Sequence, residues 1–98
     1  MVKKKPVQGS GKVSVTFEIA PCPDARSVAI AGDFNQWSPT ATPMKQRKDG
    51  YWSATLRLSK NQEYAYRYVV DGREWITDDR ADRTVPNEHG ETNAVVVV

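Results

Sequence analysis

From Lys12 onward the chain holds runs in which apolar residues recur at every second position, and this period of two constrains the fold more than any other feature of the chain. Val13, Val15, Phe17 and Ile19 point one way, while Ser14, Thr16 and Glu18 point the other. Trp52, Ala54, Leu56 and Leu58 alternate with Tyr51, Ser53, Thr55 and Arg57 in the same manner. Tyr64, Tyr66, Tyr68 and Val70 alternate with Ala65, Arg67 and Val69. Turn signals separate these runs: Pro21-Cys22-Pro23-Asp24, Asp49-Gly50, Lys60-Asn61-Gln62 and Asp71-Gly72. Shorter strands are expected at residues 28–31, 43–47, 73–77 and 92–98, with a polar loop over residues 78–90. No segment carries an apolar repeat of 3.6 residues. Six or seven short strands of this kind indicate an all-β sandwich with two sheets, each burying one face.

Ninety-eight residues make one domain, too small for a deep enclosed cleft in addition to a core. Residues 1–11 read as a flexible basic leader and residues 12–98 as the folded domain. The net charge of +2 conceals an asymmetry. Setting aside Lys3, Lys4, Lys5 and Lys12 leaves ten basic against twelve acidic side chains, so residues 13–98 carry −2. That balance argues against a nucleic-acid footprint, which needs clustered Lys and Arg. The single cysteine, Cys22, excludes an internal disulfide and fits a reducing compartment. No apolar stretch reaches membrane-span length, and no secretory h-region follows the basic N-terminus, so a cytoplasmic location with no membrane partner is expected.

Signals for chemistry are sparse. His89 stands alone, without a Cys or His at ligand spacing, and reads as a surface loop residue. Asp78, Asp79 and Asp82 cluster without the pattern of a calcium loop and read as turn formation and solvation. No P-loop, dinucleotide fingerprint or nucleophile elbow is present, so neither a cofactor, a metal nor an intrinsic enzyme activity is expected.

The tryptophans carry the functional signal. Trp52 shares a face with Ala54, Leu56 and Leu58 and belongs to the core. Trp37 ends the turn Gly32-Asp33-Phe34-Asn35-Gln36-Trp37, just before Ser38-Pro39. Trp75 neighbours Ile76, and if Ile76 points inward Trp75 points out. Either indole, taken singly, reads equally well as a half-buried tryptophan at a sandwich edge. Together they suit the apolar face of a sugar ring, with Arg67 and Asn93 supplying donors and acceptors to its hydroxyl rim. A nucleobase could also stack, but the folded domain lacks a basic groove for phosphates.

These residues, in this order, resemble the carbohydrate-binding modules of family 48. The resemblance rests on Gly32-Asp33-Phe34-Asn35-Gln36-Trp37, Tyr66-Arg67-Tyr68-Val69-Val70-Asp71-Gly72, Trp75 with Asp78, and Gly90 with Asn93. It implies an early-set, immunoglobulin-like sandwich of about seven strands, like the domains at the N-termini of glycogen branching and debranching enzymes. The glycogen-binding domain of the AMP-activated protein kinase β subunit is of the same kind. The resemblance implies binding of α-1,4-linked glucan, glycogen or maltooligosaccharide, with Trp37 and Trp75 as stacking residues. Arg67 falls where the kinase-type domains have a lysine, and Asn93 on their sugar-contacting asparagine. The kinase-type domains have an apolar residue where His89 stands and a threonine where Glu91 stands. Glu91 therefore sets a negative charge where a neutral hydroxyl helps to hold the sugar. The competing expectation is a structural or docking module that packs on a catalytic protein partner, with its tryptophans against protein.

Overall fold

The computed structural model of the chain describes residues 2–7, 9, 11–22, 24–78, 80–88 and 90–98. His89, Asp79 and Pro23, named above, lie outside the described residues. The strands are β1 (Val2–Val7), β2 (Lys12–Ile19), β3 (Val28–Gly32), β4 (Lys45–Gln46), β5 (Trp52–Ser59), β6 (Glu63–Val70), β7 (Glu74–Ile76), β8 (Arg83–Pro86) and β9 (Thr92–Val97). One sheet has the order β1-β2-β5-β4 and the other β3-β6-β9-β8, with β7 paired to the second half of β6. Every pairing is antiparallel. The two sheets enclose one core in an immunoglobulin-like sandwich.

The alternation places the core as expected. Val13, Val15 and Phe17 from β2 meet Trp52 and Leu58 from β5 and Tyr66, Tyr68 and Val70 from β6. Phe17 packs edge-on against Tyr66 at 4.8 Å between ring centroids, and Tyr66 against Tyr68 at 5.9 Å. Two buried phenols need partners, and Asp78 supplies one. Its Oδ2 accepts from the Tyr66 hydroxyl at 2.9 Å and lies 3.2 Å from that of Tyr68. Burial, and then the Asp78 carboxylate, push both phenol pKa values well up, which keeps the hydroxyls as donors. Asp78 does form a turn, through the Arg80 N–H at 3.0 Å, but it is buried rather than solvated. Asp82 instead takes the Val97 N–H at 2.7 Å and Lys4 at 2.6 Å. Asp78 and Asp82 thus serve separate partners. Among the described residues no group of three His, Cys, Asp or Glu side chains could hold a metal ion.

Two expectations are corrected. Among the described residues the strands number nine rather than about seven. Part of the excess comes from residues 2–7, which are not a loose leader but pair with β2 over a six-residue register. Lys3-Lys4-Lys5 hides this strand, because a lysine on each face erases the apolar alternation. Its place is fixed by the ladder and by ion pairs from Lys3 to Glu18 (3.3 Å) and Lys4 to Asp82. Pro6 is tolerated because β1 is an edge strand. The other addition is β8, inside the segment read as a polar loop. It too is an edge strand, ends in a proline and exposes three of its four residues.

Candidate functional site

The turn after β3 is built by its own side chains. Gly32 is extended (φ −172°), a conformation open to any residue, so its requirement is space. A Cβ there would lie 2.5 Å from the Ala65 carbonyl oxygen and 2.9 Å from Tyr66 Cβ. Phe34 turns inward toward Phe17 and Tyr64. Asn35 staples the loop: its Oδ1 accepts from Gly32 N–H (3.0 Å), and its Nδ2 donates to Ile30 O (2.9 Å) and Thr42 Oγ1 (3.0 Å). Gln36 and Trp37 are both left-handed, with φ of 55° and 58°. Two such non-glycine residues in a row, one of them bulky, are held only by surrounding structure. Asp33 supplies that hold. Its Oδ1 accepts from Trp37 Nε1–H at 3.0 Å, and its Oδ2 from Ala65 N–H at 2.8 Å. The indole Nε1–H is thereby tied through Asp33 to β6.

Trp75 arrives by a different route. The Asp71-Gly72 turn has φ of 53° and 74° and is closed by Arg73 N–H to Val70 O at 3.2 Å, as a type I′ turn requires. The Asp71 side chain anchors it to the preceding segment through the N–H groups of Arg26 (2.8 Å) and Ser27 (3.0 Å). The β7 register then sets Trp75 opposite Val69, on the outer face, and Ile76 opposite Tyr68, packed on the core. Arg67 shares the outer face of β6 with Ala65 and Val69. Its Nη2 donates to the Trp75 carbonyl at 2.9 Å, and its Nη1 pairs with Glu91 Oε2.

Asn93 follows Glu91 at the start of β9, where it pairs with Val85 of β8. Asn87 organises this corner. Its Nδ2 donates to Asn93 Oδ1 at 3.2 Å, its Oδ1 accepts from Glu91 N–H at 3.1 Å, and its N–H reaches Glu91 O at 2.8 Å. The Asn93 carbonyl oxygen is therefore engaged, and its NH2 donors are the part it can offer.

Trp37, Arg67, Trp75 and Asn93 thus come from four separated stretches of chain, yet they line one open groove of about 570 Å³ on the outer face of the five-stranded sheet. Asp33, Asn87, Glu88 and Glu91 also line it, and Ala65, a small residue, leaves room at its floor. Both tryptophans are half-buried, the degree of burial of the sandwich-edge reading, and neither is a fully exposed platform. Asp33 and Asn87 were missed as groove residues. Asp33 was legible only as a turn former, and Asn87 only as the residue after a loop proline. Trp52 is in the core, as its alternation indicated.

Residues 11–84 match the family described as carbohydrate-binding module 48 (isoamylase N-terminal domain). Over 63 residues the chain is 40% identical to a 1,4-α-glucan branching enzyme of Xanthomonas campestris pv. campestris (strain 8004), covering 62% of this chain and 9% of that enzyme. A 1,4-α-glucan branching enzyme of Rhodopseudomonas palustris is 40% identical over 67 residues, 68% of this chain and 9% of the enzyme. One from Prochlorococcus marinus subsp. pastoris is 33% identical over 60 residues, 61% and 8% respectively. The chain therefore spans less than a tenth of the length of these curated relatives.

Proposed function

The chain belongs to the carbohydrate-binding module 48 family, and from that premise we propose that it is a non-catalytic module that binds α-1,4-linked glucan in the groove between Trp37 and Trp75. One observation carries this reading: two indoles, a guanidinium and an amide, placed by four unrelated local structures, converge on one groove. A sugar ring stacked on either indole removes apolar surface worth about 1–3 kcal/mol. Asn93 donates to a ring hydroxyl, and Arg67 does so when a hydroxyl inserts between its guanidinium and Glu91. The groove is open and wet, so affinity falls in the micromolar to millimolar range, about −4 to −8 kcal/mol.

The state of two groove carboxylates, Asp33 and Glu91, supports a non-catalytic role. Glycoside hydrolysis needs one acid and one base held free on opposite sides of a bond. Asp33 is engaged by two N–H groups and Glu91 by Arg67. In branching-enzyme relatives the matched segment is a small part of a much longer chain. That favours an accessory role, in which the module holds glucan near a catalytic partner. Titration with maltoheptaose, followed by heteronuclear NMR and calorimetry, tests the proposal. Shifts confined to the groove are expected, and no response at millimolar ligand would sink it.

A further inference from the structure

Resting on that proposed function, we infer that the groove selects uncharged glucan and rejects glucan bearing phosphate esters, with Glu91 as the residue that sets the preference. Among the described residues the groove is lined by three carboxylates, Asp33, Glu88 and Glu91, against a single cation, Arg67. That cation is already committed: Nη1 is on Glu91 and Nη2 on the Trp75 carbonyl. A phosphate that takes the place of Glu91 on Nη1 leaves a bare carboxylate beside the incoming dianion. The negative charge of Asp33 is held by two neutral donors, Trp37 Nε1–H and Ala65 N–H, and so is hydrogen-bonded without being cancelled.

Two backbone N–H groups at the groove are occupied as well. Ala65 N–H goes to Asp33, and Glu91 N–H to Asn87. A neutral hydroxyl that inserts between Arg67 and Glu91 brings no charge and bonds to both. A hydroxyl is donor and acceptor at once, so it can donate to a carboxylate and accept from Arg67 or from the Asn93 amide. The same carboxylates that repel phosphate thus serve as acceptors for an unmodified sugar. Sequence alone marks Glu91 as a charge in the wrong place, whereas its pairing with Arg67 makes it a filter.

The test is parallel titration of the protein with maltoheptaose and with a maltodextrin of the same length carrying a phosphate ester. In low salt the phosphorylated ligand binds at least about fivefold more weakly, and the gap closes to under about twofold near 0.5 M salt. Glu91→Gln, a change at a half-exposed side chain, tightens the phosphorylated ligand more than the neutral one because it releases Arg67. Equal or tighter binding of the phosphorylated ligand by the unmodified protein in low salt overturns the inference, as does a ratio unmoved by Glu91→Gln. Binding of neither ligand sinks the glucan-binding function and this inference with it. Equal binding of both overturns the inference alone.

Discussion

Gly32→Ala separates two reasons for a glycine in the turn that carries Trp37. Were backbone freedom the only reason for a glycine here, alanine would be harmless, because φ at Gly32 is −172° and any residue adopts it. The structure gives a different reason. The added methyl would sit 2.5 Å from the Ala65 carbonyl oxygen, 2.9 Å from Tyr66 Cβ and 3.0 Å from Phe34 Cε2. Two of those three neighbours belong to the central strand β6, one of them its backbone, so they cannot swing aside like the end of a flexible side chain. Relief requires β3 and β6 to separate where Gly32 pairs with Tyr66. Overpacking of this kind costs about 1–3 kcal/mol. Weakening the adjacent Asp33 to Ala65 hydrogen bond adds about 0.5–1.5 kcal/mol. The sum, about 1.5–4.5 kcal/mol, corresponds to a fall in Tm of about 7–22 °C for a domain of this size. Gly90→Ala is the control. Gly90 has φ of 77° and nothing within 4 Å of a built Cβ, so it carries backbone strain without a clash. Its cost is about 1 kcal/mol. Thermal and urea denaturation of both variants, monitored by circular dichroism, gives the comparison. A Gly32→Ala variant within about 2 °C of the parent, or less destabilised than Gly90→Ala, refutes the close-approach argument.

Three further outcomes are expected. Trp37→Ala and Trp75→Ala each weaken maltoheptaose binding about tenfold or more, the loss of one stacking surface, read by calorimetry. Gln36→Gly raises Tm by about 3–6 °C, because relief of the left-handed conformation at φ 55° exceeds the entropy cost of glycine; a lower Tm contradicts this. The third outcome concerns acid. Burial pushes the Glu18 carboxyl up, but hydrogen bonds and charge from Arg47 and Lys3 outweigh it and hold the pKa below its ordinary 4.5. A folded pKa below the unfolded one means stability that is present above about pH 4.5 and lost as pH falls through the folded value. Thermal midpoints therefore hold from neutral pH to about pH 5 and drop below it, less steeply in Glu18→Gln, and an equal slope in that variant would contradict the assignment.

Much of the fold was legible in the chain because a half-buried strand writes its two environments onto alternate residues. The faces of β2, β5 and β6 could be assigned from that pattern, including the outward position of Arg67 and the inward one of Trp52. The strands that escaped notice, β1 and β8, lie at sheet edges and bury little. They are held by ladder hydrogen bonds and, for β1, by ion pairs to residues far along the chain. Asp78 escaped for the related reason that a short acidic side chain looks the same in a turn whether it meets water or two tyrosine hydroxyls.

By itself, the sequence determined the two-sheet sandwich, the turn that presents Trp37, the hairpin that presents Trp75 and the outer placement of Arg67. All of these depend on periodicity or on the conformational preferences of neighbouring residues. Only the tertiary structure decided what those residues touch. It spent the indole N–H of Trp37 on Asp33, the charge of Arg67 on Glu91 and the carbonyl of Asn93 on Asn87. Those partners lie between four and twenty-four residues apart in the chain. Residue preferences alone do not choose such partners: Arg67 and Glu91 meet only once β6 and β9 pair, Asn87 and Asn93 only once β8 and β9 pair, and Asp33 reaches Trp37 in a turn that its bond to Ala65 of β6 holds in place.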